Sequence, residues 1–204
     1  MDLFSIAITF GIVLASLTVH EAAHAWSADR LGDPTARTLG RMSLNPIVHI
    51  DPIGTVVLPL LAIFTTGHIF GWAKPVPVNV SRLRDTKRDF MLVAAAGPAS
   101  NIVLAVAGAA LFRSLDGYSH MQEPFFRVLS FAISINVLLA VFNMLPVPPL
   151  DGGNVLAGVL PDRYAAVIHA LRQYGFLILL ALIMSGVLWQ VIGPVIDFIE
   201  SLLL

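Results

Sequence analysis

The sequence predicts an all-α polytopic membrane protein with about four to five transmembrane helices. Three observations carry that prediction. Hydrophobic residues make up 57% of the 204 residues and charged residues only 12%, about half the charged share of an ordinary soluble domain. A chain this short keeps much of its surface in contact with solvent, so a soluble core could not hide so much apolar area. The apolar residues also fall in blocks long enough to cross the hydrocarbon core, which takes about 20 residues per helix. With a net charge of −1 and no long basic run, the chain has no footprint for a nucleic-acid backbone. It contains no cysteine, which removes disulfides, thiolate ligands and cysteine nucleophiles.

The first apolar stretch runs from Leu3 to about Trp26, the third from Met91 to Phe112, and the fourth from Phe125 to about Leu145. Each has the length of a span. A signal peptide needs a positive leading region, and only Met1 and Asp2 precede Leu3. The last stretch starts near Tyr174 and can reach Leu204, as one tilted span or as a span and an interfacial turn broken at Gly193-Pro194. The second stretch, Ile53 to Phe70, is short, contains Pro59, and ends on Thr65, Thr66, Gly67 and His68. Polar backbone at membrane depth is tolerated where protein covers it, so this stretch is expected to dip in and return.

Charge supports the return. Residues 27–52 carry Arg30, Arg37 and Arg41, and residues 71–90 carry Lys74, Arg82, Arg84, Lys87 and Arg88, together 8 of the 12 basic residues. Basic-rich short loops stay in the cytoplasm, and both loops do so only if the second stretch returns. The N-terminus and residues 113–124 then lie outside. The whole chain, residues 1–204, reads as a single membrane-embedded domain, with a core of about 1–160 and a C-terminal membrane segment of about 174–204.

Chemistry concentrates at the end of the first stretch. His20-Glu21-Ala22-Ala23-His24 follows a run from Leu3 to Val19 that holds no charge. On a helix, positions i and i+4 share a face about 6 Å apart along the axis, so two imidazoles there can share one metal ion. Glu21 sits one residue along, placed to act as general base on water. Ionisable groups within a span are costly and mark function; the structural alternative is a helix exit lying among headgroups. A catalytic zinc needs a third protein ligand. Arg30 stands where a metzincin would have its third His, and Glu123 and Glu200 lie in poor contexts. His49 and His68 flank the second stretch and stay open as ligands. Asp151 is the better candidate, in the run Asn143-Met144-Leu145-Pro146-Val147-Pro148-Pro149-Leu150-Asp151-Gly152-Gly153. A lone carboxylate in an apolar setting wants a cation. Asp151 reads equally as the N-cap of a helix over 154–160.

These motifs together resemble the site-2 protease family of intramembrane zinc metalloproteases, in its short bacterial form. The matching residues are His20-Glu21-x-x-His24 and Asn143-x-x-Pro146-x-Pro148-x-Leu150-Asp151-Gly152. Gly71-Trp72-Ala73-Lys74-Pro75-Val76-Pro77-Val78-Asn79, Ala96-Gly97-Pro98-Ala99-Ser100-Asn101 and residues 32–54 also look familial. The resemblance spans residues 1 to about 160. It implies a three-helix catalytic core, with a re-entrant or extended segment between the first two core helices. It also implies one Zn²⁺ per chain on His20, His24 and Asp151, and Glu21 activating water. Asn143 looks like the family residue that helps hold the substrate backbone or the oxyanion, a role with a physical need behind it; the alternative is a polar cap on the fourth helix. Lys74, Pro75, Val76, Pro77, Val78 and Asn79 resemble the extended piece that pairs with an unwound substrate strand. Gly97 to Asn101 reads mainly as close helix packing.

The function implied is a zinc-dependent intramembrane endopeptidase, a hydrolase. It would cut in or near the transmembrane segments of single-span membrane proteins, in regulated intramembrane proteolysis or clearance of remnant peptides. The protein would lie in a bacterial inner membrane, surrounded by lipid, with its site nearer the cytoplasmic side. At this length no PDZ or CBS domain is expected. Two other readings compete: a membrane metallopeptidase acting on soluble loops or prenylated tails, and a transporter-like bundle with a structural metal. The first lacks a use for the Asn143–Gly153 motif, and the second lacks a use for Glu21.

Overall fold

The computed structural model describes residues 3–57, 71–115 and 123–204. Seven α-helices are formed there: α1 Leu3–Arg30, α2 Thr35–Thr38, α3 Thr86–Leu115, α4 Glu123–Asn143, α5 Asp151–Val159, α6 Ala165–Met184 and α7 Val187–Leu203. No strand occurs among the described residues, in keeping with the all-α expectation. Four described helical segments are long and apolar enough to cross a membrane: Phe4–Arg30, Thr86–Leu115, Glu123–Asn143 and Asp162–Met184.

The organising helix is α3, which packs against α1, α4 and α5. Small residues make this possible. Ala105 and Ala109 of α3 are buried with Ile133 and Val137 of α4, and Ile196, Ile199 and Leu203 of α7 pack on that cluster. Between membrane helices, close approach supplies the van der Waals contact that drives association. At the other end of α3, Val93 is buried with Ala28 of α1 and Leu83. Helix α1 runs one turn past Trp26, and Ala25 and Ala28 in its last turns are fully buried.

The segment between α1 and α3 is anchored at both ends of its undescribed part. The backbone N–H of Trp72 donates to Gly54 O at 3.0 Å, that of Lys74 donates to His49 O at 2.9 Å, and Thr55 Oγ1 donates to Trp72 O at 2.8 Å. Residues 54 and 55 therefore lie beside Trp72, on either side of the undescribed residues. Most of the expected dip, residues 58–70, lies outside the described residues, as does most of the expected outer loop, 116–122. Farther on, Arg84 N donates to Leu31 O, so both flanking loops meet at the α1 exit.

The last apolar stretch departs from expectation. It forms two helices, and α6 begins at Ala165, before Tyr174. The break falls at Ser185-Gly186 and not at Gly193-Pro194. Gly186 has φ +74°, the left-handed conformation that stops a helix and that glycine adopts without strain. Pro194 instead lies inside α7; it removes one helical hydrogen bond, a loss tolerated in membrane helices. Asp162 is held by Lys87 at the start of α3, while Leu202 O accepts from Arg113 at its far end. From Asp162 to Leu202 the chain thus makes one net passage along the bundle.

Candidate metal centre

Helix α1 carries His20 and His24 on one face, as i and i+4 geometry requires. Their Nε2 atoms lie 3.0 Å apart. The third group comes from the chain reversal after α4. Helix α4 ends at Asn143, the prolines at 146, 148 and 149 prevent its continuation, and α5 starts at Asp151. The two glycines that follow let the new helix lie directly on the turn. A Cβ on Gly152 would stand 2.3 Å from Met144 O, and one on Gly153 would stand 2.6 Å from Pro148 N. Asp151 Oδ2 is thereby set 3.1 Å from His20 Nε2 and 3.3 Å from His24 Nε2. One ligand atom from each of the three residues lies within 4.8 Å of the others. Asp151 is not the N-cap: Leu150 occupies that position, and no side chain caps the helix.

Burial and hydrogen bonding define the electrostatics. His20 and His24 are 4% and 8% exposed. His20 Nδ1 lies 2.6 Å from Asn101 Oδ1, and His24 Nδ1 lies 2.7 Å from Val93 O. Both partners are acceptors, so each Nδ1 carries a proton, and in the neutral imidazole each Nε2 then presents a lone pair. Two lone pairs and a buried carboxylate oxygen then face one another. Asp151 Oδ2 has no hydrogen-bond partner. Three convergent ligand atoms, two imidazole nitrogens and one carboxylate oxygen, form a site that a cation can complete. Gly97 of α3 covers it so closely that a Cβ there would stand 2.3 Å from His24 Nε2 and 2.6 Å from His20 Nε2.

Glu21 lies beside this cluster. Its Oε2 accepts a 2.7 Å hydrogen bond from the backbone N–H of Val76, the one donor that Pro75-Val76-Pro77 possesses. Residues 71–79 run without helix or strand and are pinned along one edge. The N–H groups of Trp72, Lys74 and Val76 bond to Gly54, His49 and Glu21, and that of Asn79 donates to Asp33 Oδ2 at 2.6 Å. Arg41 binds the carbonyls of Lys74 and Pro75.

Two expected residues stand apart from the cluster of His20, His24 and Asp151. Asn143 donates to Leu139 O on its own helix at 2.9 Å. His49 is buried against Ser43 O, at 2.8 Å. His68 and His120 lie outside the described residues. Asn136, and the fact that the close packing at Gly97 is against the two histidines, are not visible in the sequence. An asparagine inside an otherwise apolar fourth stretch is the signal that could have found Asn136, because polar groups at membrane depth need partners.

Residues 111–185, the portion with the Asn143–Asp151 run, match peptidase family M50. Over 199 residues, 93% of this chain and 88% of the relative, the sequence is 37% identical to YwhC of Bacillus subtilis, named as a candidate zinc metalloprotease. The chain belongs to peptidase family M50. Rip2 of Mycolicibacterium smegmatis is 34% identical over 86% of this chain, which spans 66% of that relative. Rip3 of Mycobacterium tuberculosis is 30% identical over 89% of this chain, which spans 39% of it. Both carry names of the same kind. No solved structure gives a significant match. As an M50 peptidase with four membrane-length helices, the protein is an integral membrane metalloprotease.

Proposed function

We propose that this M50 peptidase is an intramembrane endopeptidase that cuts in or beside the transmembrane segments of single-span membrane proteins. One zinc ion per chain is held by His20, His24 and Asp151. The observation that supports this most is the convergence of the Nε2 atoms of His20 and His24 on the unpartnered Oδ2 of Asp151. Zinc is the metal of the relatives' names, and two imidazoles with one carboxylate match the three-ligand count of a catalytic zinc site. Zinc, when bound, supplies a Lewis acid that acidifies water and polarises a peptide carbonyl.

Glu21 takes the proton of the attacking water and returns it to the leaving amine. Its bond from Val76 occupies Oε2, and a carboxylate retains acceptor capacity at its second oxygen for water. The substrate must unwind locally, since a helix engages its carbonyls in i→i−4 bonds. Residues 74–79 receive it. Their N–H groups at 74, 76 and 79 are already engaged and prolines occupy 75 and 77, so this segment serves chiefly through carbonyls that accept from substrate N–H groups. Asn143 stands at the end of α4 as a further donor toward the substrate backbone or the oxyanion.

His20 lies ten residues before the end of α1, roughly 15 Å along the axis. With the basic loops facing the cytoplasm, the site opens toward the cytoplasmic side of a bacterial inner membrane. Glu21→Gln tests the whole reading. Purified in detergent, it is expected to hold one zinc per chain while cleavage of single-span membrane substrates is lost. Zinc-free wild-type protein, or full cleavage by the variant, would overturn the proposal.

A further inference from the structure

The metal-facing nitrogen of His20 is set by a chain of amides that begins at a backbone carbonyl. Asn136 Nδ2 donates to Ala132 O at 2.8 Å, one turn back on α4, and to Ser16 Oγ at 2.9 Å. A carbonyl oxygen only accepts, so this contact fixes which way the Asn136 amide points and turns its Oδ1 outward. Asn101 Nδ2 donates to that oxygen at 2.8 Å. Asn101 Oδ1 must therefore face His20 Nδ1, which lies 2.6 Å away. The Nδ1 proton follows, and in the neutral ring it leaves the lone pair at Nε2. Reversing either amide would bring two acceptors together.

We propose that Asn101 and Asn136 are positioning residues that hold His20 as the Nδ1–H tautomer, ready to ligate. The proposal rests on the assignment of His20, His24 and Asp151 as zinc ligands. The relay joins α1, α3 and α4, and all of its side chains are buried: Ser16 is 3% exposed, Asn101 0% and Asn136 4%. At membrane depth such groups are retained only when each is satisfied. His24 gets the same service from a backbone carbonyl, Val93 O. His20 is thus the ligand whose orientation depends on side chains. A structural reading, in which the amides only bind helices together, makes a different prediction. It ties their loss to bundle stability and not to His20.

The test is a zinc-affinity cycle in detergent, by competition with a chelator, with helicity checked by circular dichroism. Asn101→Leu keeps the size and removes the acceptor. It is expected to weaken zinc binding about 10–100-fold, as losing the hydrogen-bond partner of a metal-binding histidine does. In a His20→Ala background the same change is expected to leave the residual affinity unaltered. Asn136→Leu, which frees the Asn101 amide to turn, is expected to cost up to about 10-fold. Equal losses from Asn101→Leu with and without His20, or wild-type affinity in folded Asn101→Leu, would overturn the relay. Should Asn101→Leu not fold, Asn136→Leu decides: weaker zinc binding at full helicity supports the relay, and unchanged affinity overturns it. Wild-type affinity in His20→Ala would instead overturn the ligand assignment itself.

Discussion

Replacing Gly97 by alanine adds one methyl group at the point where α3 crosses the two histidines. That carbon would stand 2.3 Å from His24 Nε2, 2.5 Å from its Cε1 and 2.6 Å from His20 Nε2. Ordinary contact needs about 3.5 Å or more, so the rings and the methyl must part by more than about 1 Å. The rings cannot simply step back, because His20 is tied to Asn101 and His24 to Val93 through their far nitrogens. Zinc–nitrogen bonds hold near 2.0–2.1 Å, and a ring displaced by about 1 Å no longer ligates. Gly97→Ala is therefore expected to weaken zinc at least about 100-fold, or about 2.8 kcal/mol, and to abolish proteolysis. Gly108→Ala is the matched control: it adds a methyl to the same helix against a side-chain atom, Ile133 Cγ1 at 3.0 Å, far from the histidines. Zinc content and chelator competition on detergent-purified protein, with circular dichroism to confirm helicity, give the readout. A helical Gly97→Ala protein with one zinc at wild-type affinity would refute the placement of the metal between His20 and His24.

Asp151→Ala is expected to lose both bound zinc and cleavage, whereas Asp162→Ala, which breaks only a surface pair with Lys87, should alter neither; metal analysis beside a cleavage assay separates them. Val76→Pro removes the donor that orients Glu21. Losing one charge-assisted hydrogen bond of about 1.5 kcal/mol should slow turnover about 10-fold with zinc content intact, and an unchanged kcat would show that the contact does not orient the base. The chain has no native cysteine, so single cysteines replacing Ser43, Arg84 and Glu123 can be probed with an impermeant thiol reagent on intact cells. Only the position 123 variant should label, and labelling at 84 without 43 would contradict the return of the chain between α1 and α3.

The spans and the candidate ligands are legible for different reasons. Length and apolarity alone predict α1, α3 and α4, because nothing but a helix satisfies its backbone inside lipid. The His20–His24 pair is legible because i, i+4 spacing is a local property. Asp151 is legible as a ligand through the family resemblance, while on the residue alone an N-cap reads equally well; the reversal over Gly152 and Gly153, which is tertiary, brings it to the two histidines. The break at Gly186 was missed because proline at 194 is the stronger local signal, yet a proline helix can continue when only one bond is lost, while a left-handed glycine cannot propagate the helix. The end of α1 was placed at Trp26 by hydropathy, and the structure carries the helix to Arg30, because Ala25 and Ala28 are covered by protein where lipid no longer requires apolar residues.

The residues least visible in sequence are those that make the site work as a unit. Gly97 and Asn101 lie four apart on α3, on the face turned to α1, and both touch the histidines: one by having no side chain, the other by its carbonyl oxygen. Reading that stretch as packing was correct for Gly97 as far as it went, since a small residue does let two helices approach. What packing does not explain is why a fully buried amide should follow one turn later, at a cost that an apolar residue would not carry. Its partner is an imidazole on α1, 81 positions away in the chain. Glu21 and the Pro75-Val76-Pro77 segment are joined in the same way across 55 positions, by the one N–H that two prolines leave. In both cases the local sequence supplies an unsatisfied group, and only the packing of α1 against α3 and its preceding loop supplies the atom that satisfies it.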